Sequence, residues 1–147
     1  MSLNYKYSLL ALCAVLFSCQ PSTEKKETTD MPTDKFTGAK GEVKIMTLDP
    51  GHFHAALVQK FDYEAVDPVV DVFAPDSPDV DGHLNRIKGF NTRAENPTHW
   101  EEKVYRGDDF FEKMIAEKPG NVVVIAGNNA KKTEYIRDAV AAGINVL

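Results

Sequence analysis

Residues 122–147 read VVVIAGNNAKKTEYIRDAVAAGINVL. Val122 to Ala126 is an uninterrupted, mainly β-branched run, the composition of a strand covered on both faces of a parallel sheet. Gly127-Asn128-Asn129 break the run. The apolar spacing then predicts a helix from Lys131 to Ala142, with Tyr135, Ile136, Ala139 and Val140 turned inward. Gly143 is placed to cap that helix, and Ile144 to Leu147 opens another strand. A strand, crossover helix and strand in this order imply a parallel pair with a right-handed connection.

The same alternation extends upstream. Val43 to Leu48 (VKIMTL) is a short apolar run ended by the turn signal Asp49-Pro50-Gly51. His52 to Phe61 follows as a predicted helix, with Phe53, Ala56, Leu57 and Phe61 on one face. Val69 to Phe73 is a second strand ended by Ala74-Pro75-Asp76, and a short helix is expected from Asp81 to Lys88. An irregular polar stretch, Gly89 to Trp100, leads to an edge strand near Lys103 to Tyr105. Asp108-Asp109 open a further helix, acids being favoured at its positive end. Phe110, Phe111, Met114 and Ile115 form its inner face, and Pro119-Gly120 stop it. The whole is an α/β pattern: a Rossmann-like doubly wound parallel sheet, incomplete at Leu147, over residues 43–147.

Two segments precede that domain. Lys6 followed by the apolar stretch Ser8 to Phe17 is the pattern of a signal peptide, too short for a membrane span. Leu16-Phe17-Ser18-Cys19 resembles the lipobox of bacterial lipoproteins, which makes 1–18 the signal peptide and Cys19 the lipidation site. Residues 19–42 are polar and turn-rich and read as a flexible, disordered tether. The expected location is therefore the non-cytoplasmic face of a bacterial envelope, held by a lipid anchor. Composition is otherwise that of an ordinary globular chain, 43% hydrophobic and 27% charged. A net charge of −5 gives no reason to expect nucleic acid. Both cysteines, Cys13 and Cys19, lie in the leader, so the domain has no thiols for a disulfide or a cysteine-based metal site.

In a doubly wound sheet ligands bind at the carboxyl ends of the strands, which selects the loops after Leu48, Phe73 and Ala126. The first, Asp49-Pro50-Gly51-His52-Phe53-His54, stands where a dinucleotide fingerprint would stand but keeps only its middle glycine, Gly51. Asp49 replaces the first glycine and His54 the third. A plain turn and a phosphate site are both open on this motif alone. Asp76, 25 residues after Gly51, is placed to bond an adenosine ribose or to be an ordinary loop acid. The four histidines suggest no metal set, since His52 and His54 are two apart and His83 and His99 are distant.

The segment 122–147 closely resembles the Gfo/Idh/MocA oxidoreductases in its fourth strand, asparagine-bearing loop, helix and fifth-strand entry. Asn129 falls on that family's loop asparagine, Gly143 on its glycine before the fifth strand, and Lys132 where many members have His. LDPGHFHAALVQ and GFNTRAENPTHW look like a lipoprotein branch of the family. The resemblance implies an NAD(P)-binding portion of an oxidoreductase acting on a sugar or polyol. Cofactor contacts would come from Gly51, His52, Phe53, His54, Asp76, Gly127, Asn128 and Asn129. The family's Glu-Lys-Pro-like motif and substrate domain would lie beyond Leu147, so no catalytic residue is expected in this chain and no hydride transfer by it alone. An anionic Asp76, with no Arg in the loop after Val72, favours NAD over NADP. The alternative is a non-enzymatic, surface-tethered binding lipoprotein on the same fold, which the eroded glycine pattern favours. The leader has no twin-Arg, so export would be of an unfolded chain without a cofactor already bound.

Overall fold

A computed structural model describes residues 35–147; the signal segment, Cys19 and most of the expected tether lie outside them. Residues 37–42, the end of the tether stretch, form a turn around Glu42. Its carboxylate accepts backbone N–H bonds from Thr37, Gly38 and Ala39. Those donors, Thr37 foremost, hold the carboxyl below its usual range.

Five parallel strands follow: β1 (Ile45–Leu48), β2 (Val69–Ala74), β3 (Glu101–Arg106), β4 (Val122–Ile125) and β5 (Asn145–Val146), in the order β3-β2-β1-β4-β5. This is a doubly wound, Rossmann-like sheet, with the strand order reversing at the β1–β4 boundary. β1 is central because all four of its side chains are apolar or small enough to be buried on both faces. Met46 and Leu48 join Phe73 and Val123 on one face, beneath α2 (Phe110–Glu117) and α3 (Lys132–Ala141). Ile45, Val70, Val72 and Val124 face the other way, beneath Ala56, Trp100 and Ile87 of α1 (Pro78–Thr92). Each large apolar side chain fully buried here contributes about 1.5–3 kcal/mol. Among the described residues no helix is long and apolar enough to cross a membrane.

Three elements differ from the sequence reading. The helix expected over 52–61 is a 3-10 helix, Phe53–Gln59. Three residues per turn bury Ala55, Ala56 and Gln59 and leave Phe53 and Leu57 exposed; Phe61, past the end of that helix, is exposed as well. The short helix expected over 81–88 is the longest in the fold, α1. Pro78 opens it after Ser77, the favoured place for proline, and Gly82 and Gly89 within it had masked its length. In α3 only the narrow stripe of Tyr135 and Ala139 is buried. Ile136 and Val140, expected inward, are exposed because one step along a helix turns each side chain by a quarter turn or more off that stripe. The close of α3 is as read, with Gly143 at φ +78° in the left-handed region. Gly120 is required for a different reason, since a Cβ there would lie 2.5 Å from the Lys44 carbonyl oxygen.

A polar cluster is buried under α1. Gln59 Nε2 donates to Glu102 Oε1, and His83 Nε2 lies 3.9 Å from Glu102 Oε2. Burial pushes the Glu102 carboxyl up to about 7, against the Gln59 hydrogen bond and with help from Asp71. Burial, reinforced by Arg86, pushes His83 down to about 4. Glu102 is thus raised in the fold: its contribution to stability is full below pH 4.5 and lost as pH rises through 7. His83 is lowered: its contribution is full above pH 6.5 and lost as pH falls through 4. The two slopes oppose each other between these limits. Glu102→Gln is therefore expected to gain stability relative to the wild type as pH rises from 4.5 to 7. His83→Gln should lose it relative to the wild type as pH rises from 4 to 6.5. Urea midpoints measured across that range check both, and parallel profiles in all three proteins would refute the account.

Candidate functional site

The loops after β1 and β4 meet backbone to backbone. Asp49 sits in the left-handed region at φ 45°. Its N–H donates to the Phe73 carbonyl at 2.9 Å, and its own carbonyl accepts the Gly51 N–H at 2.7 Å. The His52 N–H donates across to the Ala126 carbonyl at 2.9 Å. Gly127 closes against this turn so tightly that a Cβ on it would lie 1.8 Å from the Asp49 carbonyl oxygen. A Cβ on Gly51 would meet only ordinary contacts at 3.6 Å, to Asp79 and Gly127. Gly127 is therefore demanded by the fold, and Gly51 is not.

Two hollows flank this junction and share Gly127. The larger, about 580 Å³, is lined by Asp49, Gly51, Ser77, Asp79, Asp108, Asn128, Lys131 and Tyr135. Its character is acidic. Burial raises the Asp49 carboxyl, with Asp79 adding to the rise, while the Asn128 N–H and Lys131 oppose it. Burial also raises the Tyr135 phenol, with Asp49 as the next cause. The smaller hollow, about 220 Å³, is lined by His52, His54, Ala126, Asn129 and Lys132. Its side chains are donors and potential cations. His52 Nδ1 accepts the His54 N–H at 3.4 Å, and the His52, Phe53 and His54 rings lie together with centroids 4.2–4.5 Å apart.

The residues singled out from sequence are thus divided. Gly51, Gly127 and Asn128 line the acidic hollow, and His52, His54, Gly127 and Asn129 the other. Phe53 is 46% exposed beside the imidazoles. Asp76 lines neither; it stands on the rim between Pro75 and Ser77, bonded to Arg106 at 3.2 Å. The loop after Val72 does lack an arginine, but the neighbouring strand supplies one, which removes that part of the case for NAD. Sequence reasoning missed Asp49, Asp79, Asp108, Lys131 and Tyr135 as lining groups. Asp49 was visible as a turn signal and as the replacement for the first fingerprint glycine, Asp108 only as a helix-start signal, and Tyr135 only as core. His83 is buried by Glu102, and His99 pairs with Asp62 at 2.7 Å near the amino end of the sheet. Asn91 explains the polar stretch before β3: its side chain bonds Thr98 and both backbone groups of Trp100.

The contrast between the two glycines is testable. Gly127→Ala should destabilise the chain by about 1–3 kcal/mol, the cost of overpacking against an immovable carbonyl. Gly51→Ala should stay within about 0.5 kcal/mol of the wild type. Chemical denaturation of both variants checks this, and equal losses would show that the backbone junction is softer than its geometry.

No family model matches the chain, and no curated protein matches it. A solved structure does: the 2.23 Å crystal structure of a protein from Parabacteroides merdae ATCC 43184 described as a "putative oxidoreductase". The two are 68% identical, with a TM-score of 0.74, over 76% of this chain and 25% of that one. The chain spans a quarter of the length of the solved protein it matches. In sequence and in fold, then, this Rossmann-like α/β chain is similar to one part of an oxidoreductase-type protein.

Proposed function

We propose that the chain is the nucleotide-binding portion of an NAD(P)-dependent oxidoreductase acting on a sugar or polyol. The observation that carries this reading is the division of chemistry at the switch point. Carboxylates of Asp49, Asp79 and Asp108 suit ribose hydroxyls, which donate to them. His52, His54, Lys132 and Asn129, across Gly127, suit the pyrophosphate. The opening at Gly51, which a Cβ would partly fill, lets backbone meet the ligand between the two. The residues present therefore fit a dinucleotide, whose nicotinamide supplies hydride exchange when bound. The likeness to the Parabacteroides protein supports the oxidoreductase class. The Gfo/Idh/MocA family and the carbohydrate substrate rest on the sequence resemblance, and the preference for NAD on the charge of Asp76.

One observation favours the second reading, a non-enzymatic tethered binding module. The N–H groups of Gly51 and His52, which a phosphate would use, are already bonded to Asp49 and Ala126 carbonyls. Fluorescence titration with NADH and NADPH separates the two. Binding is expected, and Gly51→Ala and Lys132→Ala should weaken it by about tenfold each without loss of fold. Absence of binding by a chain with a cooperative thermal transition would leave the binding module as the better reading.

We also propose export and lipid anchoring through Cys19, with residues 19–42 as tether and the domain on the non-cytoplasmic face of the envelope. Membrane fractionation is expected to find the wild type with the membrane and Cys19→Ala released or unprocessed. A wild type that fractionates free of membrane and takes up no labelled palmitate would refute anchoring.

A further inference from the structure

Arg106 is the last residue of β3 and lies in register with Ala74, the last of β2. Its guanidinium is held between two acids from the following turn and helix: Nη1 to Asp76 Oδ1 at 3.2 Å, and Nη2 to Asp81 Oδ1 at 2.6 Å. Asp76 and Asp81 are 83% and 63% exposed at their side chains, while Arg106 is 30% exposed beneath them. The triad stands on the rim of the acidic hollow, because Pro75 and Ser77, on either side of Asp76, both line it. Exposed pairs of this kind add little stability. Their geometry matters instead for recognition, since the end of the second strand of such a sheet is where the ribose 2′ position of an adenine dinucleotide is read.

We propose that Arg106 is the specificity-determining residue for the 2′ position, a phosphate-binding cation kept quenched by Asp76 and Asp81. This rests on the dinucleotide reading above. The guanidinium is the planar fork that matches a phosphate, and here both of its charged arms are taken by carboxylates. One cation against two anions leaves the triad net negative, which repels a 2′-phosphate. A ribose 2′-hydroxyl meets no such penalty and can donate to Asp76, whose carboxylate Arg106 holds in place. The preference for NAD therefore comes from two carboxylates masking an arginine, and removing their charge exposes a site for NADP.

The test is equilibrium binding of NADH and NADPH to the full chain by fluorescence. The wild type is compared with Asp76→Asn/Asp81→Asn, with Arg106→Gln, and with all three changes together. The wild type is expected to favour NADH. The double variant should shift the NADPH-to-NADH affinity ratio by about tenfold or more toward NADPH, the size of one new charge-assisted hydrogen bond together with the relief of a repulsion. Adding Arg106→Gln to the double variant should reverse most of that shift, leaving only the smaller part that comes from relieved repulsion and the lost Asp76 acceptor, and melting temperatures should remain unchanged throughout. Binding of both cofactors with the same ratio in all four proteins would overturn the role of Arg106 and leave the cofactor reading standing. A shift in the double variant that survives Arg106→Gln undiminished would overturn it equally, since simple removal of negative charge would then suffice. Folded protein that binds neither cofactor in any variant would overturn the dinucleotide reading and this inference with it.

Discussion

Everything at the carboxyl end of the sheet hangs on the contact between the Asp49 carbonyl and Gly127. β1 and β4 are hydrogen-bonded neighbours along their full lengths, so the loops that leave them are forced apart or forced together. Here they are forced together. Asp49 turns into the left-handed region, a strain on the order of 1 kcal/mol for a non-glycine residue. Its N–H bond to Phe73 and the bond from the Asn128 N–H to its carboxylate offset that strain. The missing side chain of Gly127 then lets the second loop close over the first.

The junction also separates two kinds of chemistry. Lys131 and Lys132 are adjacent in sequence, yet the first lines the acidic hollow and the second the basic one. At the start of a helix successive side chains diverge by about 100°. Gly127 is the residue the two hollows share. The cation on the β3 edge is a third feature of the same surface, brought there because β3 runs parallel to β2 and ends level with it.

Burial at the opposite face has a different logic. Glu102, His83 and Gln59 sit between β3 and α1 with few partners, and each ionisable group is pushed toward its neutral form. A β3 strand at the sheet edge can hold a carboxylate there because one helix covers it and the apolar wall of Val70, Ile87 and Trp100 keeps water away. The sharing of a single environment by an acid and a base makes their pH dependences oppose one another.

The strands, their parallel sense and the winding of the sheet were legible in the residues themselves. Runs such as Val122 to Ile125 and Ile45 to Leu48 leave no polar face, and only a doubly covered sheet accommodates them. The cap at Gly143 was legible for the same local reasons. Helix faces were less so. Phe53 and Leu57 look like part of a buried stripe at 3.6 residues per turn, and the tighter 3-10 path turns them outward, while Phe61 lies past its end. What only the tertiary structure decided was company: that Arg106 reaches Asp76 from another strand, that Asp49, Asp79 and Asp108 share one hollow, and that Gly127 rather than Gly51 is the glycine the fold cannot replace. Local sequence determines which backbone path each segment prefers. Contacts between residues tens of positions apart exist only once parallel pairing has brought the strand ends level.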